Sequence, residues 1–189
     1  LALTGATRLV IAGDVVHGPG STRPRAQGPA PLEAFLRALS PVEVIAVLGN
    51  HDRRAADALE SAGANPREQH AIGPHLVEHG DVPARVHEAR ARALAAGGRV
   101  LVGHLHPALS LGARAGDRIG ARATVPAFVS ARGLLCLPAL SPNARGGDVR
   151  GAALRAQLEA LAGAPSEPMG VAVVVDDRVM VLGDVFRTA

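Results

Sequence analysis

Four short segments carry the side chains able to do chemistry: Gly13-Asp14, Gly49-Asn50-His51-Asp52, His79-Gly80 and Gly103-His104-Leu105-His106. Together they offer carboxylate oxygens, a carboxamide oxygen and imidazole nitrogens. That mixture suits Mn, Fe or Zn, whereas Ca prefers an all-oxygen shell. Gly-Asp alone carries no information, since Gly183-Asp184 repeats it near the end of the chain. The ordered set of four is what points to a metal site. Gly13, Gly49 and Gly103 each precede a donor, where a missing Cβ allows a sharp turn and a close approach.

Three of the four segments follow apolar runs: Arg8–Ala12, Val42–Leu48 and Arg99–Val102. These read as buried strands of a sheet covered on both faces. His75–Glu78 reads as a further short strand leading into His79. Helices are expected from Pro31 to Leu39, over Arg54–Ala62 with Gly63 as its cap, and over Pro83–Ala96. In the last, Val86, Ala89, Ala93 and Leu94 should face inward. Alternating strands and helices imply a parallel or mixed sheet with helices outside. In such sheets ligands bind beyond the carboxyl ends of the strands, which is where Asp14, Asn50 and His104 fall.

Beyond His106 the pattern changes to short β segments, at Leu109–Arg114, Ala123–Val129 and Leu134–Leu137. A helix over Asp148–Leu161 follows, and then a hairpin of Val171–Val175 and Arg178–Leu182 turning at Asp176-Asp177. Gly18–Pro31 reads as a loop. Residues 1–189 are expected to form a single domain with two sheets.

The 189 residues are 48% hydrophobic, with no Trp, no Tyr and three Phe, so Ala, Val, Leu and Ile must build the core. All 20 basic residues are Arg, which nucleotide-composition bias explains more simply than a need for guanidinium. A formal charge of +3 permits an anionic substrate without identifying a nucleic-acid binder. The single Cys136 excludes an intramolecular disulfide and fits a reducing, cytoplasmic compartment. No apolar run approaches the roughly 20 residues of a membrane span.

On these motifs the sequence resembles the calcineurin-like metallophosphoesterases, whose pattern runs Asp-x-His, Gly-Asp, Gly-Asn-His-Asp or -Glu, a lone His, then Gly-His-x-His. The continuation from Gly103 through Val149 is similar to the bacterial ligase-associated DNA-damage-response phosphoesterases. The resemblance implies a four-layer α/β/β/α sandwich of two mixed sheets flanked by helices. It implies hydrolysis of phosphodiester bonds by a two-metal mechanism, as a DNA-repair nuclease or phosphodiesterase with DNA and repair proteins as partners. Two divalent ions, Mn foremost with Fe, Zn or Mg as alternatives, would be the cofactors. Asp14 would bridge them, Asn50, His79 and His104 would complete the second ion's set, and His106 would bind the first. His51 would face the scissile phosphate, and Asp52 would orient His51.

The residues fit that chemistry independently. Paired cations acidify a water and offset charge on attacking and leaving oxygens. The neutral Asn50 oxygen keeps the site from repelling a phosphate diester. Other residues remain open: His17, Arg53 and Arg54 could meet a phosphate or belong to a loop and a solvated helix start. Arg23, Arg25, Arg85, Arg90 and Arg92 read as surface arginines before they read as a nucleic-acid track. His70, His75 and His87 compete with His79, which its place after Leu76-Val77 favours.

One departure is plain. Leu1–Thr7 holds no Asp-x-His, so the first strand is expected to be truncated. Asp14 and His106 are then the first ion's remaining ligands, and the expectation is one well-bound metal with poor turnover. Two alternatives stay beside the nuclease: a phosphoesterase acting on a small nucleotide or diester, and a catalytically impaired scaffold of the same fold.

Overall fold

The computed structural model of the chain describes residues 4–16, 29–111, 123–141, 144, 146–163, 168–175 and 178–183. His17, Arg23, Arg25, Arg114, the turn residues Asp176-Asp177 and most of the loop expected over Gly18–Pro31 lie outside them. The elements run β1 (Arg8–Ile11), α1 (Pro29–Ala38), β2 (Glu43–Val47), α2 (Ala56–Ser61), β3 (Ala64–Arg67), β4 (His70–Ile72), β5 (His75–Glu78), α3 (Pro83–Ala95) and β6 (Val100–Val102). The order continues with β7 (Pro107–Leu111), β8 (Ala123–Ala131), β9 (Leu134–Cys136), β10 (Gly147–Asp148), α4 (Ala152–Ala162), β11 (Gly170–Val175) and β12 (Arg178–Gly183).

The apolar runs become strands of two sheets, giving the expected α/β sandwich. β1, β2 and β3 form a three-stranded sheet that is parallel throughout. The other sheet is mixed, in the order β10-β7-β8-β9-β6-β5-β4, with β11 joined to β8 and β12 to β11. Within it β5, β6 and β9 run parallel, so their carboxyl ends lie together.

Side-chain alternation along the strands sorts the apolar residues into two cores. Val44 and Ala46 of β2 and Ala64 of β3 pack with Leu36 of α1 and Leu59 of α2. Ile45 and Val47 are buried on the opposite face of β2. The larger core joins Val86, Ala89 and Ala93 of α3 and Leu154, Leu158 and Leu161 of α4 to Val100, Val102, Val129, Leu134 and Cys136 of the mixed sheet. Aliphatic residues fill both, as the composition requires.

Several expectations need correction. β1 is only partly buried, since among the described residues it pairs with β2 alone. Leu94 turns outward and is 39% exposed, because α3 presents Val86, Ala89 and Ala93 to the sheet. Asp148 belongs to β10, and α4 begins at Ala152 after Gly151. β3, β4 and β10 were not expected as strands. Among the described residues no helix is long and apolar enough to cross a membrane.

Candidate metal centre

Asp14 follows β1 and Asn50 follows β2, while His79 follows β5 and His104 follows β6. Each pair stands at the carboxyl ends of adjacent parallel strands, one pair in each sheet. The centre therefore forms where the two sheets meet. Ligating atoms of Asp14, His79 and His104 lie within 4.8 Å of one another. His79 is 1% exposed, and Asp14 and His104 are partly buried.

The backbone shapes this convergence. Asp14 has a φ of 53°, a left-handed conformation that Asp tolerates better than most residues. Gly13 has a φ of 91°, and a Cβ there would stand 2.1 Å from His79 Nδ1. At Gly49 a Cβ would stand 2.1 Å from Asp14 Oδ1. The glycines before the donors thus allow the ligand loops to touch each other; the anticipated reason was approach to an ion. His79 also gathers the opposite loop, its carbonyl accepting from Gly103 N at 3.0 Å and His104 N at 2.9 Å.

The hydrogen bonds of the His79 ring decide what the centre can hold. Its Nδ1 lies 3.0 Å from the Ala12 carbonyl, which can only accept, so Nδ1 carries a hydrogen and donates. In the neutral ring Nε2 then presents a lone pair. It faces Asn50 Oδ1 at 3.1 Å, His104 Nδ1 at 3.0 Å and Asp14 Oδ2 at 3.5 Å. One proton can serve one or two of these acceptors, whereas a metal cation serves all four. Burial first, and the neighbouring His79 next, hold the His104 imidazole below the usual histidine range. The lowered value favours the neutral imidazole, the form whose lone pair a cation could take.

Asp52 is fully buried and accepts backbone hydrogens from Val16 at 2.9 Å, Gly49 at 3.1 Å and Val15 at 3.2 Å. It braces the Asp14 loop against the Asn50 loop, a role its position alone did not reveal. His51 donates its backbone N–H to Asp14 Oδ1 at 3.3 Å, and its ring is close enough to act electrostatically on His104. His106, with a φ of 45°, falls outside the group of mutually close ligating atoms among the described residues. Its carbonyl accepts from Gly147 N at 3.1 Å.

The competing histidines are engaged elsewhere or lie apart. His75 Nδ1 accepts from Arg99 N, and His87 Nε2 donates to the Ala160 carbonyl. His70 sits on β4 opposite Val77. Arg53 pairs with Asp81 at 2.9 Å, a contact between two ligand loops that no sequence signal announced. Arg85 serves Glu68 and Glu78, and Arg90 serves backbone carbonyls of Arg132 and Ala162.

No family model matches the chain, and no curated protein matches it. Among solved structures it is similar to the nuclease MPE of Pseudomonas putida. The TM-score is 0.58 at 23% sequence identity, over 93% of this chain and 71% of that one. The likeness is one of fold.

Proposed function

We propose that this chain is a metal-dependent phosphoesterase that cleaves phosphodiester bonds and acts on DNA as a nuclease. The observation that carries the reading is the convergence of Asn50 Oδ1, Asp14 Oδ2 and His104 Nδ1 on His79 Nε2, at 3.1, 3.5 and 3.0 Å. The donor set fits a divalent ion, and Mn, Fe or Zn match its mixed oxygen and nitrogen character. Asp14, Asn50, His79 and His104 would hold that ion, and Asp14 with His106 would contribute to a second. Bound there, divalent ions supply a polarised phosphate and an acidified water.

The chain's own residues do the rest. His51, held beside Asp14 by its backbone N–H, stabilises phosphate charge and delivers a proton to the leaving oxygen. Asp52 keeps the loops of Asp14 and His51 in one arrangement through its three backbone hydrogen bonds. Asn50 contributes an oxygen without a charge that would repel the diester. Similarity of fold to a nuclease supports nucleic acid as the substrate class. The resemblance from Gly103 to Val149 supports a setting in DNA repair.

Hydrolysis of single-stranded DNA, duplex DNA and bis-nitrophenyl phosphate, with and without Mn, tests the proposal. Slow Mn-dependent DNA cleavage is expected, in keeping with the absent Asp-x-His, falling by a further roughly 10²–10⁴-fold in His51→Ala with Mn still bound. Cleavage of the small diester with DNA untouched would move the reading to a small-molecule phosphoesterase. No hydrolysis of any of the three by a Mn-loaded chain would leave a scaffold.

A further inference from the structure

The metal centre takes Asp14 and Asn50 from the three-stranded sheet and His79 and His104 from the mixed sheet. Among the described residues no strand pairing joins these sheets. Four polar atoms converge across this seam: His79 Nε2 meets His104 Nδ1 at 3.0 Å, Asn50 Oδ1 at 3.1 Å and Asp14 Oδ2 at 3.5 Å, and one ring hydrogen cannot satisfy all of these contacts. A contact elsewhere on the two loops is needed to hold them at this separation in advance of a cation.

The contact placed to do so is the ion pair of Arg53 Nη2 with Asp81 Oδ2, at 2.9 Å. Arg53 lies three residues after Asn50 and two after His51, while Asp81 lies two after His79. The pair thus spans the two loops whose ligands, Asn50 and His79, approach to 3.1 Å. Asp81 is well shielded, with 14% of its side chain exposed against 39% for Arg53. An attraction anchored on a shielded carboxylate is less weakened by solvent than one between two exposed groups.

We propose that Arg53 and Asp81 are a positioning pair, a strap that closes the seam and holds the ligand loops at metal-binding distance. Their action is on cation affinity, through Asn50 and His79, and neither residue needs to touch substrate. The inference rests on the metal centre proposed above.

A simple field effect predicts something different, which makes the strap testable. If charge alone mattered, Arg53→Ala would bind Mn more tightly and Asp81→Asn less tightly. The strap predicts that both bind less tightly. Titration calorimetry with Mn on the wild type, Arg53→Ala, Asp81→Asn and the exchanged double variant Arg53→Asp with Asp81→Arg separates the cases. Each single substitution is expected to weaken affinity about fivefold, and the exchange to recover most of the loss. Thermal midpoints of the metal-free variants should stay within about 4 °C of the wild type. Arg53→Lys, which keeps the charge and a donor, should bind Mn more tightly than Arg53→Ala.

Single variants that bind Mn like the wild type, opposite effects of the two single substitutions, or an exchange no better than either, would overturn the strap. A large fall in midpoint with affinity intact would show a fold brace and overturn it too. Mn uptake without hydrolysis would contradict the phosphoesterase reading alone, whereas hydrolysis with normal Mn affinity in the strap variants would contradict the strap alone. A wild-type chain that takes up no Mn would end both.

Discussion

At the scale of the residue, the candidate centre depends on small atoms being absent as much as on candidate ligands being present. Gly49 leaves room for the Asp14 carboxylate, and a methyl group there would fall 2.1 Å from Oδ1 and 2.6 Å from the Asp14 backbone nitrogen. Backbone cannot swing aside as a flexible side chain can. Gly49→Ala should therefore cost about 1–3 kcal/mol in urea unfolding and lower Mn affinity more than tenfold by calorimetry. Unchanged Mn binding would show that Asp14 is not held where the structure puts it. Cys136 makes the contrasting case. Burial pushes its thiol up to about 12 from 9.0, so the group stays protonated and unreactive. Alkylation of the native chain should be negligible at pH 8.5 and rapid in denaturant. Because the folded value is the higher one, its contribution to stability is present below about pH 9 and is lost as pH rises towards 12. These residues differ in legibility. Asp14, Asn50 and His104 could be read from glycine-donor pairs after apolar runs, while the Ala12 carbonyl that sets the His79 tautomer has no side-chain signature.

At the scale of the element, α3 anchors its neighbour by its polar side. His87 donates to the Ala160 carbonyl at 2.7 Å, and Arg90 donates to the carbonyls of Ala162 and Arg132. The contacts to Ala160 and Ala162 answer carbonyls at the end of α4, where helix geometry leaves them unpaired and a cation is favoured, while the Arg132 carbonyl belongs to the turn between β8 and β9. Arg90→Ala is expected to lower stability by about 2 kcal/mol in urea, with Mn affinity unchanged because α4 supplies no ligand. The same helix pair shows what periodicity can and cannot give. Val86, Ala89 and Ala93 of α3 are readable as an inward face, Leu154, Leu158 and Leu161 of α4 recur at helical spacing, and all six are buried. The same spacing points Leu94 inward, but one stripe suffices to cover the sheet and Leu94 falls beside it, 39% exposed. β3 escaped detection because Asn65-Pro66-Arg67 has no apolar run; it is a strand through its parallel pairing with β2. Pairing of that kind is set by tertiary context, which local pattern does not contain.

At the scale of the whole molecule, the candidate site is a property of the seam between two sheets. Each sheet supplies two donors at the carboxyl ends of parallel strands, and neither sheet holds a complete set. Strand-helix alternation made an α/β fold legible, and the ordered motifs suggested which residues would gather. Composition and spacing could not show that Asp52 and the Arg53–Asp81 pair hold the ligand loops together, because their partners lie distant in the sequence. The same holds for His106, which the motif groups with His104 and the described structure leaves outside the closest cluster. The measurement that tests the centre most directly is anomalous diffraction from crystals of the chain soaked in Mn. The account predicts a peak in contact with Asp14 Oδ2, Asn50 Oδ1, His79 Nε2 and His104 Nδ1, absent in His79→Ala. No peak at these four atoms, or a peak there that persists without the His79 imidazole, would contradict it.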